Sequence, residues 1–176
     1  MVVKISTQVG NPVIRKKSKA VVSFGLKTTK NTIKNLIDSM RHHNLVGMAA
    51  PQIGVNLRIF VTEIRKTKLR KTNETDKVRV FINPKIKKYS KRQVSAYEGC
   101  GSVASSGLFG KVMRSYEVAV EAYDENGKKF KLQAKGLLAR IIQHESDHLD
   151  GKIFLDRLTD TKSLMSRGEY LKTKKS

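Results

Sequence analysis

Residues 136–149, Gly-Leu-Leu-Ala-Arg-Ile-Ile-Gln-His-Glu-Ser-Asp-His-Leu, constrain this chain more than any other stretch. Their apolar residues recur at helical spacing, which places Leu137, Ile141, His144 and His148 on one face. Residues four apart on an α-helix differ by about 40° and one turn, so the two imidazoles converge on one point while Glu145 projects beside it. The pattern outlines a divalent-metal site with His144 and His148 as ligands. Glu145 would reach a water on the ion rather than the ion itself. A metal lowers the pKa of such a water to about 7, and a neighbouring carboxylate can pass its proton to a leaving amine, which suits hydrolysis. The plain alternative is a polar helix with two histidines at chance spacing. Two histidines do not close a site, so the fold must bring a third ligand to this helix.

The sequence Glu98-Gly99-Cys100-Gly101-Ser102 offers one. Taken alone, Cys100 reads as a small buried hydrophobe. With the helical histidines it completes a Cys-His-His set, three protein ligands with a fourth position open. Glycines on both sides let the backbone pass close to the metal, and Gly101 keeps an unhindered N–H beside the reacting centre. A third segment, Gly47-Met48-Ala49-Ala50-Pro51-Gln52-Ile53-Gly54, is small and uncharged in a basic chain. Small residues there permit close approach of another strand or a ligand, and Gln52 is a lone hydrogen-bond donor; a packing turn with Gln52 in solvent is the other reading.

The chain has 176 residues at 39% hydrophobic content, which predicts one well-cored domain spanning residues 1–176. Lys and Arg number 36 against 15 Asp and Glu, a formal charge of +21 that attracts polyanions such as ribosomal RNA. A solubility charge explains the same residues. Trp is absent and aromatics are 6%, which excludes an aromatic RNA-stacking module. No apolar run nears the ~20 residues that span a bilayer, and the N-terminus lacks a signal pattern. Together with a single cysteine, this predicts a cytoplasmic protein.

In chain order, residues 1–30 read as an irregular wrapping arm with a turn at Gly10-Asn11-Pro12. Ile33, Leu36, Ile37 and Met40 predict an amphipathic helix over residues 31–43. His42 and His43, adjacent and so about 100° apart, read as terminal or surface groups rather than chelators. Residues 57–62 and 78–83 read as strands, the second closed by Pro84, with another strand within 85–97. Residues 65–77 form a charged loop, Gly151 is placed to end the histidine helix, and residues 160–176 form a basic tail with a short helix. The fold class expected is α+β, antiparallel β-sheets wrapped around a central metal-binding helix with the first helix packed outside.

The three motif segments, in this order and spacing, resemble the signature motifs of the peptide deformylases. The resemblance continues through Arg114-Ser115-Tyr116, Asp124-Glu125-Asn126-Gly127 and residues 149–158, and covers the chain from Val9 to Leu158. It implies that Cys100, His144 and His148 bind one divalent ion, that Glu145 is the general acid/base, and that Gln52 and the Gly101 N–H hold the oxyanion. It also implies ferrous iron, with nickel, cobalt or zinc compatible with the same ligands, and a substrate that is the N-formyl group of nascent formyl-methionine polypeptides. Candidates for substrate contact are Gly47, Val46, Leu137 and Ile141; ordinary core packing is the other reading of the three apolar ones.

Two departures stand beside the site. Leu45 occupies the place of a glycine, which is expected to reshape the pocket mouth. Gly101 occupies the place of a leucine, which is expected to remove an apolar wall and relax selectivity; Ala104 also stands where a proline is common. Two rivals remain: a zinc peptidase of the His-Glu-x-x-His type, whose third histidine would fall at Phe154, and an RNA- or ribosome-binding protein with a vestigial site.

Overall fold

The computed structural model describes residues 2–66 and 74–174. Its elements run α1 (Pro12–Arg15), α2 (Lys27–His42), β1 (Gly47–Ala49), β2 (Ile59–Ile64), β3 (Asp76–Tyr89), β4 (Gln93–Gly99), β5 (Leu108–Ser115), β6 (Glu117–Tyr123), β7 (Lys129–Lys135), α3 (Gly136–Leu149), β8 (Met165–Ser166) and α4 (Arg167–Lys172). The strands pair antiparallel into a five-stranded sheet, β1-β2-β3-β6-β7, and a three-stranded one, β4-β5-β8. This is the expected α+β class. Among the described residues, no helix is long and apolar enough to cross a membrane.

The period of two in β2 explains the layering. Ile59 and Val61 point to one side and pack with Ile33, Leu36 and Met40 of α2, while Phe60 points to the other and packs with Ala139, Ile142 and Leu149 of α3. Every residue of β2 is buried, because a helix covers each face of the sheet. Phe60 stacks on Phe81 at 4.5 Å between ring centroids, and both are fully buried, a burial that stabilises by about 1.5–3 kcal/mol per ring. The histidine helix therefore lies on the sheet as core, with its ligand face turned toward β1 and the end of β4.

The end of α3 falls where Gly151 was expected to set it. Gly151 adopts φ +72°, its N–H donates to His148 O, and the Lys152 N–H donates to Asp147 O, which is a Schellman cap. A Cβ at 151 would collide with the Arg15 carbonyl, so the glycine also admits the N-terminal arm.

Several boundaries differ from expectation. The arm is not wholly irregular: Pro12–Arg15 forms one helical turn capped by the Asn11 side chain, which accepts from the Val13 N–H, and Ile14 is fully buried beside Cys100 and Phe154. The next helix begins at Lys27, four residues before Asn31, because its first turn is polar and gives no periodic signal. Pro84 does not close a strand. β3 continues to Tyr89 through a register break between Ile82 and Lys85, where Asn83 takes φ +51° and its amide bonds both Val21 N–H and Val21 O. Proline's missing N–H is tolerated at such a bulge. The segment 85–97 accordingly contains the end of β3 and the start of β4. Beyond Asp160 the short helix is present as α4, preceded by a strand, β8, that pairs with β5. The charged segment at 65–77 lies mostly outside the described residues.

Candidate active site

Three segments meet at α3. Cys100 follows β4, Gln52 lies in the 3-10 turn Ala50–Ile53 after β1, and His144, Glu145 and His148 project from the helix. One atom each of Cys100, His144 and His148 lies within 4.8 Å of the others. The Cys100 Sγ is 3.2 Å from His148 Nε2, and the two imidazoles stand edge-on at 5.0 Å between ring centroids. One soft sulfur and two ring nitrogens, with Cys100 and His148 buried and His144 half-buried, form a donor set that fits a divalent transition ion. Burial pushes the Cys100 thiol up, but His148 and His144 outweigh it and hold the thiol well below its usual range. The Ser102 N–H also donates to the sulfur, at 3.4 Å. The residue is thus set up as a thiolate.

Glu145 is 3% exposed, and its Oε2 has no hydrogen-bond partner among the described residues. Burial raises its carboxyl to about 7, against the pull of His144 and His148. A carboxyl left unpaired in the interior is costly, and such a group poised near neutrality is equipped to exchange protons. Gly47 makes room for it: a Cβ there would come within 2.5 Å of Glu145 Oε1 and 2.8 Å of Ile141 Cγ2.

Gln52 is 2% exposed. Its carbonyl accepts from the Ala49 N–H at 2.8 Å, so its NH2 is the group that points to Cys100 Sγ, at 3.5 Å. The donor therefore faces the cluster, not solvent. Gly101 is held by the arm, since Gln8 Nε2 donates to the Gly101 carbonyl at 2.9 Å and the Val9 N–H donates to Ser102 O. Ile141 is buried beside Gly47, whereas Val46 and Leu137 are half-buried. Phe154, 1% exposed, packs in the core with Ile14 and Ile153, which removes the third-histidine position of the peptidase rival. His42 and His43 are exposed at the end of α2, remote from the cluster in role, with His43 Nε2 on the Lys4 carbonyl.

The sequence reading missed an ionic network beneath the histidines. Glu98 accepts from His144 Nδ1 at 2.9 Å, from Arg114 at 3.0 Å through both oxygens, and from Arg140 at 2.7 Å. Asp147 accepts from Arg114 at 2.5 Å and from Arg157 at 2.8 Å. Burial pushes Glu98 up, but His144 and Arg114 outweigh it and hold it far below the carboxylate range. Its bond to Nδ1 leaves His144 Nε2 as the nitrogen turned to the cluster. Glu98 stands two residues before Cys100 and Asp147 beside His148, so adjacency to ligands was the available signal. Gln143 clamps the helix to β5, donating to Ser115 O and accepting from Ser115 N–H.

Residues 3–164 match the family model described as polypeptide deformylase. The chain belongs to the polypeptide deformylase family. It is 37% identical over 157 residues to a peptide deformylase of Dictyoglomus turgidum, covering 89% of this chain and 94% of the relative. It is 42% identical over 128 residues to one of Treponema pallidum, covering 73% and 72%. Among solved structures, a class I type b peptide deformylase of Acinetobacter baumannii with Met-Ala-Ser bound matches with a TM-score of 0.84 at 27% identity, covering 89% of this chain and 99% of that one. Deformylases are metal-dependent hydrolases of protein biosynthesis that act on nascent chains, and this chain is an enzyme of that kind.

Proposed function

We propose that this chain removes the N-formyl group from formyl-methionine at the start of nascent polypeptides, with Cys100, His144 and His148 holding one divalent ion and Glu145 as general acid/base. The observation that supports it most is a buried carboxyl with an unpartnered oxygen beside a Cys-His-His cluster. When bound, the ion supplies a Lewis acid that makes water nucleophilic at neutral pH and polarises the formyl oxygen. Glu145 takes a proton from the attacking water and returns it to the leaving amine; a carboxyl raised to about 7 serves in both forms. The Gln52 NH2 and the Gly101 N–H donate to the oxygen on which charge develops, each worth about 3–4 kcal/mol of barrier. Ile141, Val46 and Leu137 line the side-chain pocket beside Gly47. That a solved peptide deformylase of Acinetobacter baumannii has Met-Ala-Ser bound supports this substrate class.

The resemblance favours ferrous iron, and zinc, nickel and cobalt suit the same donors. The reaction belongs to the cytoplasm or an organelle interior, and the +21 charge favours contact with ribosomal RNA near the exiting chain. We further read residues 1–176 as one catalytic domain. The test is formate release from formyl-Met-Ala-Ser by anaerobically prepared protein, its loss on chelation and its return with added divalent metal. Metal-loaded protein that releases no formate would overturn the reading.

A further inference from the structure

Leu45 and Gly101 belong to different segments, one between α2 and β1 and the other after β4. A Cβ built at Gly101 would lie 3.2 Å from Leu45 Cδ1 and 3.1 Å from Ser6 Oγ. A single methyl is already tight there, and Leu45 or Ser6 would have to give by a few tenths of an ångström to admit a side chain. Leu45 is anchored. The Leu45 N–H donates to Met40 O at 2.9 Å, and its side chain packs against the core under α2.

We infer that the two departures from the family pattern are one exchange: Leu45 fills from the β1 side the volume that a side chain at residue 101 would fill from the β4 side, and so sets side-chain selectivity beside the reacting centre. The geometry gives Leu45 this reach. Gly101 directly follows Cys100, and two residues after Leu45 comes Gly47, against which Glu145 sits. The leucine methyl therefore stands where the segment carrying the thiol meets the segment backing the carboxyl. Ser6, 9% exposed, closes the other side with a hydroxyl, so the apolar surface at this point comes from Leu45. Loss of a leucine at 101 then leaves the wall in place instead of removing it, and selectivity is retained rather than relaxed. The inference rests on the deformylase reading for its substrate and on packing alone for its geometry.

The test is a double-mutant cycle of Leu45→Gly, Gly101→Leu and the pair, read by melting temperature and by kcat/KM for formyl-Met-Ala-Ser against formyl-Ala-Ala-Ser. Gly101→Leu alone should lower the melting temperature by about 3 °C or more through overpacking. Leu45→Gly alone should lower the Met-over-Ala ratio by about tenfold or more. The pair should recover most of both losses. Additive changes in melting temperature would overturn the exchange, and a coupled melting temperature with an unaltered selectivity ratio would overturn the selectivity role. If Leu45→Gly does not fold, Leu45→Ala carries the same cycle. Wild type that releases no formate would fell the deformylase reading, while the melting cycle would still decide the packing exchange.

Discussion

Gly47 lacks a side chain where the Glu145 carboxyl needs space: a Cβ at 47 would come within 2.5 Å of Oε1. β1 and α3 thus approach closely enough that the strand backbone forms one wall around the buried acid. Gly47→Ala is expected to push Glu145 out of line, because its Cβ would also come within 2.8 Å of the buried Ile141 and has no free side to move to. Misplacement of about 1 Å costs about 100-fold in rate. Steady-state formate release should show kcat falling by that order with metal content unchanged; an undiminished kcat would remove the glycine's assigned purpose.

Glu98 holds His144 through Nδ1 while neutralising Arg114 and Arg140 in the interior. Glu98→Gln keeps the shape and removes the charge. Breaking a buried pair costs about 3–5 kcal/mol, and loss of a ligand's orienting partner costs about 10–100-fold in metal affinity. Thermal melts with and without metal, together with competition against a chelator, separate the two effects. A variant as stable and as tightly metallated as wild type would show the network to be passive.

How much of this was legible in the sequence depends on how local the cause is. The histidine helix, its Gly151 cap and the Cys100 motif were readable because periodicity, a positive-φ position and short motifs are written in adjacent residues. The bulge at Asn83 was not, since it exists to meet the Val21 backbone 62 residues away. Nor was the Glu98 network: charged residues in a chain with 36 cations carry no periodic signature, and only folding shows which of them are buried. The one-turn helix around Ile14 is too short for periodicity to reveal. Gln52 was found as a lone polar residue, but the Ala49 N–H that orients its amide comes from the fold.

Acid sensitivity follows from Glu63 and Asp156. The Arg41 hydrogen bond holds Glu63 below the ordinary range against burial, and for Asp156 burial raises the carboxyl but Arg15 and the Ile153 N–H outweigh it. Both folded pKa values are depressed, so their contribution is present above the unfolded value of about 4 and is lost as pH falls through the folded values. The pairs are partly exposed, which limits each to about 0.2–1 kcal/mol. Glu63→Gln with Asp156→Asn should lower stability in denaturant melts at pH 7, and the gap to wild type should narrow as pH falls below about 4. A gap that does not change with pH would assign it to packing.

For the basic charge, ribosome co-sedimentation across a salt series is informative. Lys172 is paired with Glu169 and Arg65 with Glu63; the substituted protein replaces Lys174 together with Lys68, Arg70, Lys71 and Lys175, which lie outside the described residues. Affinity should fall steeply with salt, and the substituted protein should show a flatter slope while turnover of a short formyl-peptide stays the same. Binding that is absent at low salt, or equal in both proteins, would leave the charge without this partner.

The central claim separates ligands from the proton carrier, and one paired measurement tests it. Metal per chain and formate release from formyl-Met-Ala-Ser are measured on the same anaerobic preparations of wild type, Cys100→Ala and Glu145→Gln. The account predicts one divalent ion and formate for wild type, neither for Cys100→Ala, and a bound ion without formate for Glu145→Gln. A Cys100→Ala protein that keeps ion and activity, or a Glu145→Gln protein that loses the ion, would contradict it.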